Sequence, residues 1–199
     1  MKTRKGISIL LAILLLPVCA KALIVRDFND HETGTIQTGD YYDQVNVWDS
    51  ANVSMTGGEV GLLSSYNSSH INVTGGLVSP GWLAAYNNSI VEISGGIVRT
   101  VSLVDSSIMY WSGGNIDGYL AIFDNAVLHV YGKDFLYTPG GGYGFGWLSG
   151  HWANGSDFTI LFRHLSEVFP PESSVILHVI PEPCTLLLLI FGAAICRRH

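Results

Sequence analysis

The sequence predicts an all-β protein, a parallel β-solenoid (β-helix) of about five coils. An N-terminal cap and a C-terminal β-hairpin cap close it, and a signal helix and a C-terminal apolar helix flank it. Three observations predict this architecture. The glycine pairs Gly57-Gly58, Gly75-Gly76, Gly95-Gly96 and Gly113-Gly114 recur at spacings of 18, 20 and 18 residues, and short internal repeats of this kind mark solenoids. A second marker keeps the same period: Trp48-Asp49-Ser50, Tyr66-Asn67-Ser68, Tyr86-Asn87-Asn88, Val104-Asp105-Ser106 and Phe123-Asp124-Asn125. Between the markers apolar residues alternate, the period of a half-buried strand.

Taken in chain order, residues 1–22 read as a secretory signal. Lys2, Arg4 and Lys5 precede the apolar run Ile7 to Leu16, and Ala20-Lys21-Ala22 places small residues at the cleavage-determining positions. The mature chain is expected to begin at Leu23. A lipoprotein signal at Cys19 is disfavoured by Pro17 and Val18, where small residues are wanted. Residues 23–44, polar and acidic with Arg26-Asp27 and Asp40-Tyr41-Tyr42-Asp43, read as the cap that an open strand stack needs at its edge.

Residues 45–132 carry the coils. One inward pair per coil is expected from Val53 and Met55, Ile71 and Val73, Val91 and Ile93, Met109 and Trp111, and Leu128 and Val130. Val60, Val78, Val98 and Ile116 follow the glycines. A third inward set runs Val45 and Val47, Leu63 and Ser65, Leu83 and Ala85, Val101 and Leu103, Leu120 and Ile122. Paired glycines accept positive φ at a corner, and Asn, Asp and Ser bond their own backbone in turns. Length varies at one corner only, where Ser79-Pro80-Gly81-Trp82 makes the longest insert.

Residues 133–180 read as the C-terminal cap. They comprise the glycine-rich stretch Gly140 to Gly146, the run Trp147 to Trp152, a hairpin turn at Asn154-Gly155, a returning strand Phe158 to Phe162 and a last strand Val175 to Ile180.

Charge and chemistry narrow the function classes. Residues 23–183 hold four basic residues, Arg26, Arg99, Lys133 and Arg163, against all sixteen acids of the chain, a net charge of −12. This argues against nucleic acid, and against anionic lipid or polysaccharide held by the overall field. The three cysteines, Cys19, Cys184 and Cys196, lie in the terminal segments, so the body has no internal disulfide to rely on. The column Asp49, Asn67, Asn87, Asp105, Asp124 reads as a row of corner turns rather than as catalytic carboxylates or a calcium ladder. The seven histidines show no metal-binding interval, so no metal and no cofactor are expected. The hydroxyl row Thr56, Thr74, Ser94, Ser112 reads as a solvated turn feature, with an ice-binding row as the minor alternative. The corner rings Trp48, Tyr66, Tyr86 and Phe123, joined by Trp82 from the insert, read first as a packing ladder and second as a platform for stacking sugar rings.

Residues 181–199 give the most specific signal. Pro181-Glu182-Pro183 runs into the apolar stretch Cys184 to Cys196 and then Arg197-Arg198-His199. A helix of thirteen such residues would be roughly 20 Å long against about 30 Å of hydrocarbon, a marginal permanent anchor that suits transient membrane residence. The basic residues that follow it place the body outside the cytoplasm. This arrangement closely resembles the PEP-CTERM sorting tail of bacterial proteins. The resemblance implies a sorting motif of Pro181, Glu182, Pro183, Arg197 and Arg198 and an exosortase-type enzyme as partner. It also implies export with transient membrane anchoring and delivery to the cell surface or extracellular matrix. The expected function is that of a non-enzymatic structural or adhesive protein, with extracellular polysaccharide as the candidate ligand. The alternatives are a β-helix polysaccharide-active enzyme and an ice-binding or carbohydrate-binding solenoid.

Overall fold

The structure, a computed structural model, describes residues 22–140, 145–163 and 174–181. The signal segment, Glu182, Pro183, the apolar stretch and Arg197-Arg198 lie outside the described residues, and with them both expected flanking helices. The described residues hold strands and no helix.

The chain winds as a parallel β-solenoid of about six turns. The first coil carries β1 (Val25–Phe28) and β2 (Thr33–Ile36). The following coils carry β3 (Tyr41–Val47), β4 (Asn52–Ser65), β5 (His70–Val78), β6 (Leu83–Ala85), β7 (Ile90–Val98), β8 (Val101–Leu103), β9 (Ile108–Ile116) and β10 (Tyr119–Ile122). The last elements are β11 (Val127–Pro139), β12 (Phe145–His151), β13 (Asp157–Arg163) and β14 (Val175–Val179).

Two long parallel ladders run the length of the stack. In one, Val53, Ile71, Val91, Met109, Leu128 and Val175 lie opposite one another in successive rungs. In the other, Val45, Leu63, Leu83, Val101, Leu120 and Phe162 do the same. These side chains and the Val60, Val78, Val98, Ile116 set form one continuous buried core. The repeat predicted about five coils. The additional turn comes from residues 25–36, read in the sequence as cap: Val25–Phe28 pair in parallel with Gln44–Val47, and Thr33–Ile36 with Asn52–Met55. Phe28 and Ile36 fill inward positions there, although Thr38-Gly39-Asp40 stands where later coils have a glycine pair.

The two glycines of each pair answer different demands. The second is left-handed, with φ of 75° to 89° at Gly58, Gly76, Gly96 and Gly114. The first lies against the coil below, and a Cβ on Gly95 would meet the Thr74 carbonyl oxygen at 2.2 Å.

The far end is closed by the chain doubling back. β12 runs antiparallel to both β11 and β13, and β13 re-enters the second ladder parallel to β10. The turn between them falls at Asn154-Gly155, with Gly155 N–H donating to the Trp152 carbonyl at 2.9 Å. Trp152 and Phe158 close edge-on over Trp111, at 4.7 and 5.2 Å between ring centroids. β14 then adds the last rung of the first ladder, where Ile180 N–H donates to the Gly132 carbonyl at 2.8 Å.

Candidate functional site: an aromatic groove on one flank

The second ladder decides which residues face outward on one flank. Leu83 and Ala85 point into the core, so the period of two turns Trp82, Ala84 and Tyr86 outward. The next coil presents Thr100, Ser102 and Val104 in the same register, and the one after it Tyr119, Ala121 and Phe123. From Ser64 through Ala84 and Ser102 to Ala121 the middle column is small, and Ser64, Ala84 and Ala121 are buried beneath their larger neighbours. The result is a trough along the stack. One coil of small residues is framed by two coils that each carry a pair of rings.

The groove has a volume of about 720 Å³. Trp82 and Tyr86 bound one side, Tyr119 and Phe123 the other, and Ser102 and Ala121 form its floor. Two rungs at about 4.8 Å separate the framing coils by roughly 10 Å, enough for a single ring to stack against aromatic faces on both sides. Two guanidinium groups complete the lining, from Arg99 and Arg163. Arg163 lies opposite Ala121 across the β10–β13 ladder and sits 5.5 Å from the Tyr119 ring centroid. Among the described residues that line the groove there is no carboxylate.

The five candidate stacking residues thus divide into two groups. Trp82, Tyr86 and Phe123 meet in the groove. Trp48 and Tyr66 spend their faces on packing, with Trp48 stacked on Tyr66 at 4.0 Å and Tyr66 on Tyr86 at 5.0 Å. Tyr86 joins both arrangements. Burial, the neighbouring Tyr66 and then Asp105 raise its phenol above the usual value, so the hydroxyl is a neutral donor at physiological pH. Sequence reasoning missed Tyr119, Arg99 and Arg163. The outward small row Thr100, Ser102, Val104 was the available signal, because it interrupts two ring-bearing rows.

The Asp49, Asn67, Asn87, Asp105, Asp124 column adopts left-handed φ of 55° to 62° at every position. Its side chains bond between coils: the Asp105 carboxylate accepts from Asn87 N–H at 2.9 Å, and the Asp124 carboxylate from Asp105 N–H at 3.3 Å. These groups complete the backbone at the corner. The Thr56 and Thr74 hydroxyls likewise donate to carbonyls of the coil below, at 3.4 and 3.5 Å.

The fold also joins two histidines that stand 49 residues apart. His129 Nδ1 and His178 Nε2 lie at 2.9 Å, between the stacked rings of Tyr110 and Tyr131. Burial, and then His178, lower the His129 imidazole below its usual value. Among the described residues no group of three or more His, Cys, Asp or Glu side chains is placed to hold a metal ion.

Fold and groove together define a parallel β-solenoid with an aromatic, arginine-flanked trough on one flank. No family model, curated protein or solved structure matches this chain.

Proposed function

We propose that this protein is an exported, surface-sorted structural and adhesive component of the cell envelope or extracellular polymer matrix, and that its solenoid is a rigid mount for a saccharide-binding groove. The observation that carries the adhesive part is the groove itself: a pair of rings on each side of one coil, with a floor of small residues between them. Sugar rings present C–H faces that stack on aromatic surfaces, and rings fixed to a β-ladder lose little entropy on binding. Cleavage of a glycosidic bond would call for positioned carboxylates, whereas the described lining residues are aromatic, small, hydroxyl-bearing and arginine side chains. Binding is therefore the chemistry that the groove can supply.

The routing part rests on the tail sequence. The last described rung ends at Val179 and Pro181 opens the sorting motif, so processing there would free the folded body almost at its final strand. Expression of the full chain in a host with an exosortase-type system tests this. Glu182→Ala, or deletion of Arg197-Arg198, is expected to leave the protein in the membrane fraction at full mass. Unchanged release and unchanged mass would overturn the assignment. Loss of glycan-array binding in Trp82→Ala, with folding intact, tests the groove separately.

A further inference from the structure

We infer that the groove selects an acidic sugar, a uronate unit of an anionic polysaccharide, over a neutral one. The inference rests on the groove being a saccharide site and adds the chemistry of its ligand. Charge placement carries it. Residues 23–183 have four lysine or arginine side chains, and two of them, Arg99 and Arg163, line this one groove, where the described lining residues include no carboxylate. They come from distant parts of the chain, Arg99 from the corner before β8 and Arg163 from the end of β13 as it re-enters the ladder. Arg163 packs over the Tyr119 ring, which holds the guanidinium plane at the rim. A guanidinium beside an aromatic face recognises a ring that carries a carboxylate, because the fork binds the carboxylate while the aromatic surface takes the sugar face.

The net charge of −12 over residues 23–183 opposes long-range attraction of any polyanion. Recognition here is of short range, and the corner carboxylates confine it. Asp105 and Asp124 stand on the Tyr86–Phe123 side, so an acid group is favoured on the opposite side, toward Trp82, Tyr119 and Arg99.

The test is titration calorimetry of the full chain, in detergent, with hexagalacturonate and with cellohexaose as the neutral probe. Hexagalacturonate is expected to bind, with affinity that falls as salt rises. Arg99→Gln is expected to weaken it roughly tenfold or more, the effect of losing a charge-assisted contact. Trp82→Ala should abolish binding of any saccharide, whereas Arg26→Gln, at the other end of the stack, should leave it unchanged. Equal binding of cellohexaose with no effect of Arg99→Gln would overturn the acidic-sugar inference and leave the saccharide groove standing. Binding of neither probe would overturn both. Competition by polyglutamate as strong as that by hexagalacturonate would show an anion site without sugar selection, and would also overturn the inference.

Discussion

At the scale of single residues, stacking makes a glycine's neighbours matter more than its own dihedral. Gly95 is packed so that a methyl group would meet the Thr74 carbonyl oxygen at 2.2 Å, and backbone cannot move aside without breaking the ladder. Gly155, at the hairpin tip with φ of 83°, has nothing within 4 Å of that position. Gly95→Ala is therefore expected to cost about 3 kcal/mol from overpacking, and Gly155→Ala about 1 kcal/mol from its left-handed backbone alone. Thermal denaturation checks the ranking, and equal losses would contradict it. The inward columns were legible in the sequence because apolar residues alternate there in every coil, with Ser65 as the one polar member. The buried serines were not. Ser69, Ser89 and Ser107 are fully enclosed at the corner, yet a serine two residues after the corner Asn or Asp reads as part of an exposed turn. Ser69 escapes the desolvation cost because its hydroxyl lies 2.7 Å from the Ser65 hydroxyl and donates to the Val47 carbonyl at 3.0 Å.

At the scale of elements, β14 is a rim strand with one partner strand among the described residues. It joins the stack through one ladder, from Leu128↔Val175 to Gly132↔Val179, and its outer edge leaves Ile176, Leu177 and Val179 exposed. The His129–His178 contact lies on this ladder. Because His129 is lowered from its ordinary value of 6.5, it binds fewer protons in the folded state than in the unfolded one. Its contribution to stability is complete above about pH 6.5 and is lost as pH falls from there through the lowered folded value. A second proton on the pair would also set like charges side by side and remove the acceptor. The melting temperature is expected to drop between about pH 7 and pH 5 in the wild type, and to change less in His129→Phe. Identical pH profiles for the two proteins would refute a role for the pair. None of this was legible in the sequence, since the residues meet only because the chain returns to the first ladder after the hairpin. Arg163 escaped notice for the same reason. It reaches the groove through the return of β13, whereas Tyr86 and Phe123 follow the repeat and Trp82 stands in its one long insert, so these three could be read from the sequence.

At the scale of the molecule, stability is a sum over neighbouring coils, and a fault in the middle of the stack affects both sides. Ile93 is covered above and below by Trp111 and Val73. Ile93→Asp buries a carboxylate with no counter-charge, a cost of several kcal/mol, and should abolish cooperative folding. Tyr86→Ala removes a half-buried ring stacked on one neighbour and is expected to cost roughly 1 kcal/mol while eliminating saccharide binding. Circular dichroism and glycan binding, measured on both variants, check this contrast. Unfolding of Tyr86→Ala as complete as that of Ile93→Asp would make the ring a core element and leave the groove without one wall.

The ladder of β14 also has a mechanical consequence. In a parallel solenoid the covalent chain winds around the axis while the hydrogen bonds lie along it, so axial tension is borne by non-covalent bonds. A pull on the chain beyond Pro181 reaches first the bond from Ile180 to Gly132 and the adjoining pair Val179↔Gly132. Five pairs stressed in sequence yield at the strength of one, so β14 would peel away under a load that leaves the coils behind it wound. The final strand is thus a fuse between the tail and the body.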